Sequence, residues 1–204
     1  MDDFLSKACS SCRSCDLFKS RRKIAFSRGN PSANFMLIGE APGSKEDELG
    51  IPFVGRSGKL LDQLLESVGF NTESDVYICN LIKCRPPNNR RPSKSELAAC
   101  RSWLDRQIKL VNPNVIALAG STSVAAVLET SESITKIRGE WRLWKGRWVM
   151  PLFHPAYLLR NPSVKEESPK SLTRSDLIEV RNKINTYDCS IGISAFNTER
   201  RDSQ

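Results

Sequence analysis

Glu40 is the residue whose setting most suggests chemistry, because it stands in the turn 39–43 (Gly-Glu-Ala-Pro-Gly) directly after an apolar run. The two glycines of this turn permit close ligand approach, and Pro42 stiffens it. Glu40 is thereby held at the carboxyl end of a strand, where open α/β sheets bind their ligands. We interpret Glu40 as a functional carboxylate; the alternative is an ordinary exposed turn glutamate.

Two further polar side chains follow strand-like runs. Asn80 ends the run 76–79, and its amide carries both a donor and an acceptor, a pair that could read the Watson–Crick edge of a pyrimidine. His154, the only histidine of the chain, follows the run 148–153. A lone histidine is usually structural, but parallel strands end at one edge of their sheet. We therefore expect Glu40, Asn80 and His154 to converge there.

Two loops near these strand ends have the composition of nucleic-acid contacts. Segment 52–58 (Pro-Phe-Val-Gly-Arg-Ser-Gly) places an aromatic ring and a flexible basic turn before a helix N-terminus, which is a ready phosphate site. In segment 154–162, Leu158 and Leu159 precede Arg160 and have the character of a wedge between stacked bases. The alternative for each leucine is a buried helical turn.

The chain has seven cysteines and no secretory signal, a combination that indicates metal binding or redox chemistry rather than a disulfide framework. The candidate ligands are three closely spaced N-terminal cysteines and two downstream ones: Cys9, Cys12, Cys15, Cys84 and Cys100. We expect no ligand role for Cys79, inside an apparent strand, or for Cys189. All-thiolate ligation suits an iron–sulfur cluster or structural zinc, and the spacing does not name the metal.

The elements that must position these residues alternate along the chain. Apolar runs predict strands at 34–38, 76–79, 115–119 and 148–153, and helical periodicity predicts helices at 58–68, 93–111, 122–128 and 173–187. Ser57 is the expected N-cap of the first helix. This alternation favours an α/β fold with a parallel sheet covered on both faces. We predict one domain, 1–187, followed by a disordered tail, 188–204.

The charge balance suits a polyanionic partner. Lys and Arg total 31 against 23 Asp and Glu, a formal net charge of +8 at pH 7. Basic residues interleave with tryptophans at 136–148, and at 141–148 we expect a hairpin whose rings pack rather than stack on bases. No apolar run reaches the length of a membrane span and the N-terminus lacks a signal pattern, so we expect a cytoplasmic protein without a membrane partner.

Four motifs occur in a fixed order, at 39–43, 52–58, 80–87 and 154–162. Together they resemble the iron–sulfur, family 4 uracil-DNA glycosylases, over roughly 12–187. The resemblance implies a single-domain, three-layer α/β/α sandwich with a central, mainly parallel four-stranded sheet. It also implies a DNA-repair enzyme, a monomer, that hydrolyses the N-glycosidic bond of uracil in DNA and leaves an abasic site.

The resemblance further implies a [4Fe–4S] cluster as structural cofactor. In the family, the first two ligands form a C-x2-C pair followed one residue later by leucine, and the pair that precedes Leu17 fits this phase. The implied ligands are Cys12, Cys15, Cys84 and Cys100. The pair that Cys9 forms with Cys12 does not have this spacing to the leucine, and Cys9 as a substitute ligand remains an alternative.

Roles in the active site follow from the same resemblance. Glu40 would orient or deprotonate the attacking water, and His154 would stabilise charge that develops on uracil O2. Phe53 would stack on the flipped base, and Asn80 would discriminate against cytosine. The remaining uracil-binding residues are Gly39 and Gly43. The implied DNA contacts are Gly55, Arg56 and Ser57 toward the phosphate backbone, and Leu158, Leu159 and Arg160 toward the minor groove.

Three other functions compete with this one. A non-catalytic or covalent uracil-DNA binder of the same superfamily would trap its substrate through a loop histidine, and 86–92 contains none. A structural zinc module that binds nucleic acid leaves Glu40, Asn80 and His154 unexplained. An enzyme acting on free nucleotides has little support, because the chain lacks both a Gly-x-Gly-x-x-Gly element and a phosphate-loop lysine motif.

Overall fold

The computed structural model describes the backbone of residues 2–199 and the side chains through residue 186. The strands are β1 (Ser27–Gly29), β2 (Phe35–Gly39), β3 (Val76–Asn80), β4 (Val115–Ala119), β5 (Arg142–Trp144) and β6 (Arg147–Leu152). The helices are α1 (Asp2–Ser10), α2 (Ser44–Leu49), α3 (Arg56–Glu66), α4 (Lys94–Val111), α5 (Ser121–Leu128), α6 (Ile134–Ile137), α7 (Pro155–Arg160) and α8 (Pro169–Glu199).

The strands form one sheet in the order β1-β3-β2-β4-β6-β5. The four central strands are parallel, as predicted, and the short strands β1 and β5 pair antiparallel at the two edges. The described sheet therefore has six strands rather than four. A strand as short as β1 or β5 shows no apolar period, and for that reason β1 escaped prediction.

Helices cover both faces of the sheet, so that the predicted three-layer arrangement is confirmed. One face packs against apolar side chains of α3, α7 and α8. The other face packs against those of α4, α5 and α6. Strands β2, β3 and β4 are buried along their whole length. This two-sided burial explains why their sequences are continuous apolar runs.

The start of α3 differs from the prediction. The helix begins at Arg56 with Gly55 as its N-cap, so Ser57 lies within the first turn and is not the cap. The backbone amide of Gly55 donates to the carboxylate of Glu46, a partner from another helix that sequence periodicity cannot show. As a result, Ser57 lies inside the first turn and does not cap the helix.

The N-terminal helix α1 was not predicted, and a long-range network anchors it. The carboxylate of Asp2 accepts hydrogen bonds from the hydroxyls of Tyr77 and Ser27, both at 2.7 Å. The Tyr77 hydroxyl also accepts from Gln107 at 2.9 Å. Because both Tyr77 and Gln107 are buried, this network fixes the N-terminal segment against the centre of the fold.

The tryptophan-rich hairpin was predicted correctly. Lys145 and Gly146 connect β5 and β6, and both have positive φ, 47° and 75°, as a type I′ turn requires. The rings of Trp141 and Trp148 pack edge to face at 6.2 Å, and the Lys183 ammonium lies over both of them. The rings of Trp141 and Trp148 also pack against the apolar core, as predicted for this hairpin.

Two predictions lie toward the end of the chain. Helix α8 begins at Pro169, earlier than the predicted residue 173, and extends past the predicted end at residue 187. Of the predicted tail, 188–204, only the backbone of 188–199 is described, as part of α8; residues 200–204 and the side chain of Cys189 lie outside the described residues. The predictions of a disordered tail and of no ligand role for Cys189 stay predictions. None of the described helices combines the length and the apolarity that crossing a membrane requires.

Candidate active site and cysteine cavity

A cleft of about 610 Å³ opens at the carboxyl edge of the sheet. It brings together predicted residues from four separate segments of the chain: Glu40, Gly43, Phe53, Ser57, Asn80, His154 and Arg160. The convergence expected from the strand ends is thus present. The cleft also includes residues that were not predicted, among them Glu46, Asn89, Gly120, Ser121 and Tyr157.

Glu40 and His154 face each other across the cleft at the ends of β2 and β6. The Nδ1 atom of His154 accepts a hydrogen bond from the Ala156 amide at 3.1 Å, so the neutral ring carries its proton on Nε2. Burial lowers the pKa of His154 and Arg160 lowers it further, while Glu40 opposes the change. His154 is therefore a neutral donor at neutral pH, and Glu40 is half-buried beside it.

The aromatic ring of Phe53 forms a wall of the cleft, with its centroid 6.2 Å from that of His154. Phe53 adopts a positive φ of 54°, which is unusual for a bulky residue and needs support. Arg28 supplies it: its guanidinium donates to the carbonyls of Pro52 and Phe53 and pairs with Asp62. The ring is held in place before any substrate arrives.

Asn80 ends β3 and lies buried directly opposite Gly39 of β2. A Cβ atom at Gly39 would come within 2.5 Å of the Asn80 amide oxygen and 2.4 Å of the Phe53 ring. Gly39 therefore leaves the room that these two side chains occupy. Behind Asn80, the ammonium of Lys83 donates to its backbone carbonyl at 2.5 Å.

Glu46 organises two loops of the cleft. Its carboxylate accepts backbone hydrogen bonds from Gly43, Val54 and Gly55 at 3.1, 3.0 and 2.8 Å. It thus ties the turn that carries Glu40 to the loop that carries Phe53. A Cβ at Gly43 would lie 2.7 Å from the Glu46 carboxylate, so Gly43 is needed for this contact. Glu46 is the most important cleft residue that sequence reasoning missed.

The structure separates the predicted DNA contacts into two groups. Leu158 is 1% exposed and packs in the core under α7, whereas Leu159 is 36% exposed. The buried position of Leu158 in a helical turn is incompatible with a wedge, so that part of the prediction is wrong. Arg160 lines the cleft and Arg56 is exposed at the start of α3.

A second cavity, of about 20 Å³, lies beneath the loop that follows β3. Five thiols line it, from α1, the turn after it, the loop and α4: Cys9, Cys12, Cys15, Cys84 and Cys100. Side-chain donors point at its sulfur atoms. The Trp103 indole donates to Cys12 at 3.4 Å and the Arg21 guanidinium donates to Cys84 at 3.1 Å. Cys79 lies elsewhere, fully buried within β3.

The comparisons with known proteins agree with this geometry. A family model described as the uracil DNA glycosylase superfamily matches residues 26–178. The chain belongs to this superfamily.

Individual relatives place the chain within the superfamily. The type-4 uracil-DNA glycosylase of Thermotoga maritima is 45% identical over 163 residues, which are 79% of this chain and 84% of that protein. The type-4 enzyme of Sulfurisphaera tokodaii is 37% identical over 190 residues, 89% of this chain and 86% of that protein. A type-5 enzyme of Thermus thermophilus is 31% identical over 114 residues, 49% of this chain and 52% of that protein. The resemblance to family 4 is confirmed.

The cysteine cavity of this superfamily member fits an anionic metal group. Lys83 is 0% exposed, and in the described part of the chain its ammonium pairs with no carboxylate. It lies over the Phe26 ring at 5.7 Å and interacts electrostatically with Cys9 and Cys100. A buried cation is costly unless it is paired. Thiolates bound to metal would supply the missing negative charge.

The thiols differ in their surroundings. Burial raises the pKa of Cys9 to about 12 and that of Cys100 to about 11. Burial acts the same way on Cys12, but hydrogen bonds with Ser14 and Trp103 outweigh it and lower its pKa. Among the side chains described, no three His, Cys, Asp or Glu groups are arranged to hold a single metal ion.

The glycosylase cleft contains residues for which the sequence did offer a signal. Gly120 follows β4 just as Glu40, Asn80 and His154 follow their strands, so the same strand-end reasoning applies to it. Its φ is 96°, and a Cβ there would lie 2.9 Å from the His154 Cβ. Glu46 occupies the third position of α2, a capping-box site, but its N-cap is a glycine and the usual Ser or Thr signature is absent.

Proposed function

We propose that the chain hydrolyses the N-glycosidic bond of uracil in DNA, releasing free uracil and leaving an abasic site. The observation that carries the proposal is the convergence of Glu40, Asn80 and His154 around one cleft with the ring of Phe53. The cleft is large enough for a nucleotide but not for a duplex, so the base must be flipped out of the helix to enter it.

Recognition of the flipped uracil rests on Phe53 and Asn80. The Phe53 ring offers a rigid stacking surface, because its backbone is clamped by Arg28. The Asn80 amide can donate to uracil O4 and accept from uracil N3–H, whereas cytosine presents a donor and an acceptor in the opposite places. The buried position of Asn80 makes an unmatched contact costly, which favours uracil over cytosine.

His154 stabilises the departing uracil. Cleavage of the glycosidic bond moves negative charge onto the base and leaves positive charge on the sugar. The His154 Nε2–H is the donor for uracil O2, and its Nδ1 is occupied by the Ala156 amide, which fixes the orientation of the ring. A neutral ring stabilises the uracil anion by a hydrogen bond without having to transfer its proton.

Glu40 acts on the sugar side. In the part of the chain that is described, no hydrogen bond occupies its carboxylate, which leaves both oxygens for a water molecule and for the cationic sugar. Its charge favours the cationic sugar, and as a general base it accepts the proton of the water that attacks the anomeric carbon. The turn 39–43 holds this carboxylate through the Gly43 contact with Glu46.

DNA is held by groups on the rim of the cleft. The first turn of α3, at Gly55, Arg56 and Ser57, offers a cation and a hydroxyl to the phosphate backbone. On α7, Arg160 faces the minor-groove side, and Leu159 is the exposed leucine available to fill the space that the flipped base leaves. The formal charge of +8 supports a DNA partner.

We also propose that Cys12, Cys15, Cys84 and Cys100 hold a [4Fe–4S] cluster. The four thiols, the donors Arg21 and Trp103 and the buried Lys83 support this assignment. The group would serve as a structural link between the N-terminal segment, the loop after Asn80 and α4. The monomeric state and the cytoplasmic location remain predictions.

Uracil excision tests the proposed activity directly. Oligonucleotides with one uracil, single-stranded or opposite guanine or adenine, should yield free uracil and an abasic site, and cytosine or thymine in its place should yield neither. In the Asn80→Asp variant, the N–H group that donates to uracil O4 is lost while an oxygen that can accept from the cytosine amino group remains, so uracil excision should fall and cytosine excision should rise relative to it. Binding of uracil-DNA by the iron-loaded protein without release of uracil would indicate the non-catalytic binder.

A further inference from the structure

Cys9 is a thiol of the cysteine cavity that the proposed cluster leaves unused. It is 1% exposed and lines the same cavity as the four proposed ligands. Its sulfur interacts electrostatically with the thiols of Cys100, Cys12 and Cys84, which are three of those four. The cavity therefore offers five sulfur ligands for a group that needs four.

The spacing of the N-terminal cysteines gives two equivalent pairs. Cys9 and Cys12 have the same C-x2-C separation as Cys12 and Cys15. The amide of Cys12 donates to the carbonyl of Cys9 at 3.0 Å, so the two residues belong to one turn at the end of α1. Within this turn Cys12 is partly exposed, whereas Cys9 lies behind it.

The position of Cys9 does not depend on Cys12. The Arg21 guanidinium donates to the carbonyl of Ser10 at 2.6 Å and to the sulfur of Cys84 at 3.1 Å, which holds the end of α1 against the cavity. At the other end of α1, Asp2 is bound to Tyr77. The helix thus keeps Cys9 at the cavity wall when the Cys12 side chain is changed.

We propose that Cys9 is a reserve ligand that replaces Cys12, the more exposed thiol, when Cys12 is removed or released. In the exchange, the bond between Cys12 and iron breaks and a bond between Cys9 and iron forms. The proton that the Cys9 thiol gives up is taken up by the Cys12 thiolate, or by solvent where Cys12 is absent. This inference rests on the proposed iron–sulfur cofactor but not on the glycosylase reaction.

Four variants test the reserve ligand: Cys9→Ala, Cys12→Ala, the double variant Cys9→Ala/Cys12→Ala, and Cys84→Ala. Cys84→Ala is the control in which a proposed ligand is lost and no reserve thiol is proposed to replace it. Iron and acid-labile sulfide per chain are measured after anaerobic reconstitution, together with the electron paramagnetic resonance spectrum of the reduced protein. Cys9→Ala should match wild type. Cys12→Ala should keep most of its iron with an altered spectrum, and the double variant and Cys84→Ala should lose it.

The decisive comparison is between Cys12→Ala and the double variant, which differ only in the Cys9 sulfur. The proposal is overturned if Cys12→Ala contains as little iron as Cys84→Ala and a further variant, Cys12→Ser, contains equally little. This conclusion holds whether or not either variant stays folded. Wild-type protein that contains zinc instead of iron would contradict the cofactor proposal separately. The same comparison, with zinc content as the readout, would then decide whether Cys9 replaces Cys12.

Discussion

In the cleft, the reactive side chains stand at the ends of different parallel strands, whereas the cysteine cavity collects its thiols from α1, a turn, a loop and α4. The register of β2 and β3 fixes Asn80 opposite Gly39, and a single hydrogen-bonded sheet positions the whole edge. Few hydrogen bonds link the walls of the cavity; these include the contacts of Arg21 and Trp103.

This difference indicates that the two regions have separate functions, catalysis in the cleft and structural support at the cavity. The cleft is preorganised by the sheet, so it should keep its shape when a single catalytic group is changed. Contacts of Arg21 and Asp2 hold α1 at its two ends, and we expect the group bound by the thiols to strengthen the link between α1, the loop and α4. Changes in the cleft should therefore reduce activity and leave iron content unaltered. Changes at the cavity should lower iron content before they affect activity. The predictions below probe that separation.

The largest effect is expected at Glu40. Glu40→Gln keeps the shape of the side chain but removes the base and its charge, and excision should fall by roughly 10²–10⁴-fold, the scale for a positioned general base. Single-turnover excision measures the rate. Iron content and thermal unfolding should match wild type, since the carboxylate makes no hydrogen bond in the described structure. A rate within a few-fold of wild type would remove Glu40 from the mechanism.

His154→Ala should reduce the rate by about 10²–10³-fold, as expected when one donor to a developing anion is lost. The loss should appear in kcat more than in KM, because the hydrogen bond strengthens as charge builds on uracil. Substrates with a better leaving base, such as 5-fluorouracil, should recover part of the lost rate. If the better leaving group gives no such recovery, His154 has another role.

Glu46→Gln tests the preorganisation of the cleft. Loss of a charged acceptor for three backbone amides should loosen the loops of Glu40 and Phe53, and misplacement on this scale costs about 10²-fold in rate. Glu48→Gln is the matched control on the same helix, because Glu48 is exposed and its ion pair among the described residues is with Lys45. Equal excision rates in the two variants would show that the loops of Glu40 and Phe53 keep their positions without the Glu46 carboxylate.

Lys83→Met probes a residue that contacts both regions. Its ammonium donates to the Asn80 carbonyl, and its backbone amide donates to the Cys100 sulfur. We expect kcat/KM to fall by about tenfold, the value of one hydrogen bond to a charged group, and iron content to fall with it. Lys94→Met, at an exposed site, serves as control. Full activity with full iron content would mean that the two regions are independent.

The smallest effect concerns stability at Glu96. Hydrogen bonds from Arg90, then from Ser93, lower the pKa of this carboxyl from 4.5 to about 2. The ionised form therefore adds stability above pH 4.5, which is lost as the pH falls through about 2. Denaturation midpoints of wild type and Glu96→Gln should differ at neutral pH and converge in acid. A constant gap would contradict the pairing.

The four parallel strands could be predicted from the sequence because strands buried on both faces consist of continuous apolar runs. The strand-end residues could be predicted because Gly, Pro and polar residues follow where those runs stop. Sequence reasoning missed Glu46, and it expected Leu158 at the surface. Both depend on contacts between distant segments: the loops that Glu46 bridges and the core beneath α7. The cavity was predicted only as a set of cysteines, since nothing in the spacing placed Cys9 at its wall.

The most direct test of the central claim is excision from an oligonucleotide with a single uracil, with wild type, Glu40→Gln and His154→Ala measured side by side at equal iron content. Wild type should release uracil, both variants should lose at least about 10²-fold in rate, and all three should bind the uracil-containing strand. Undiminished release by the variants would contradict the assignment of this cleft as the active site.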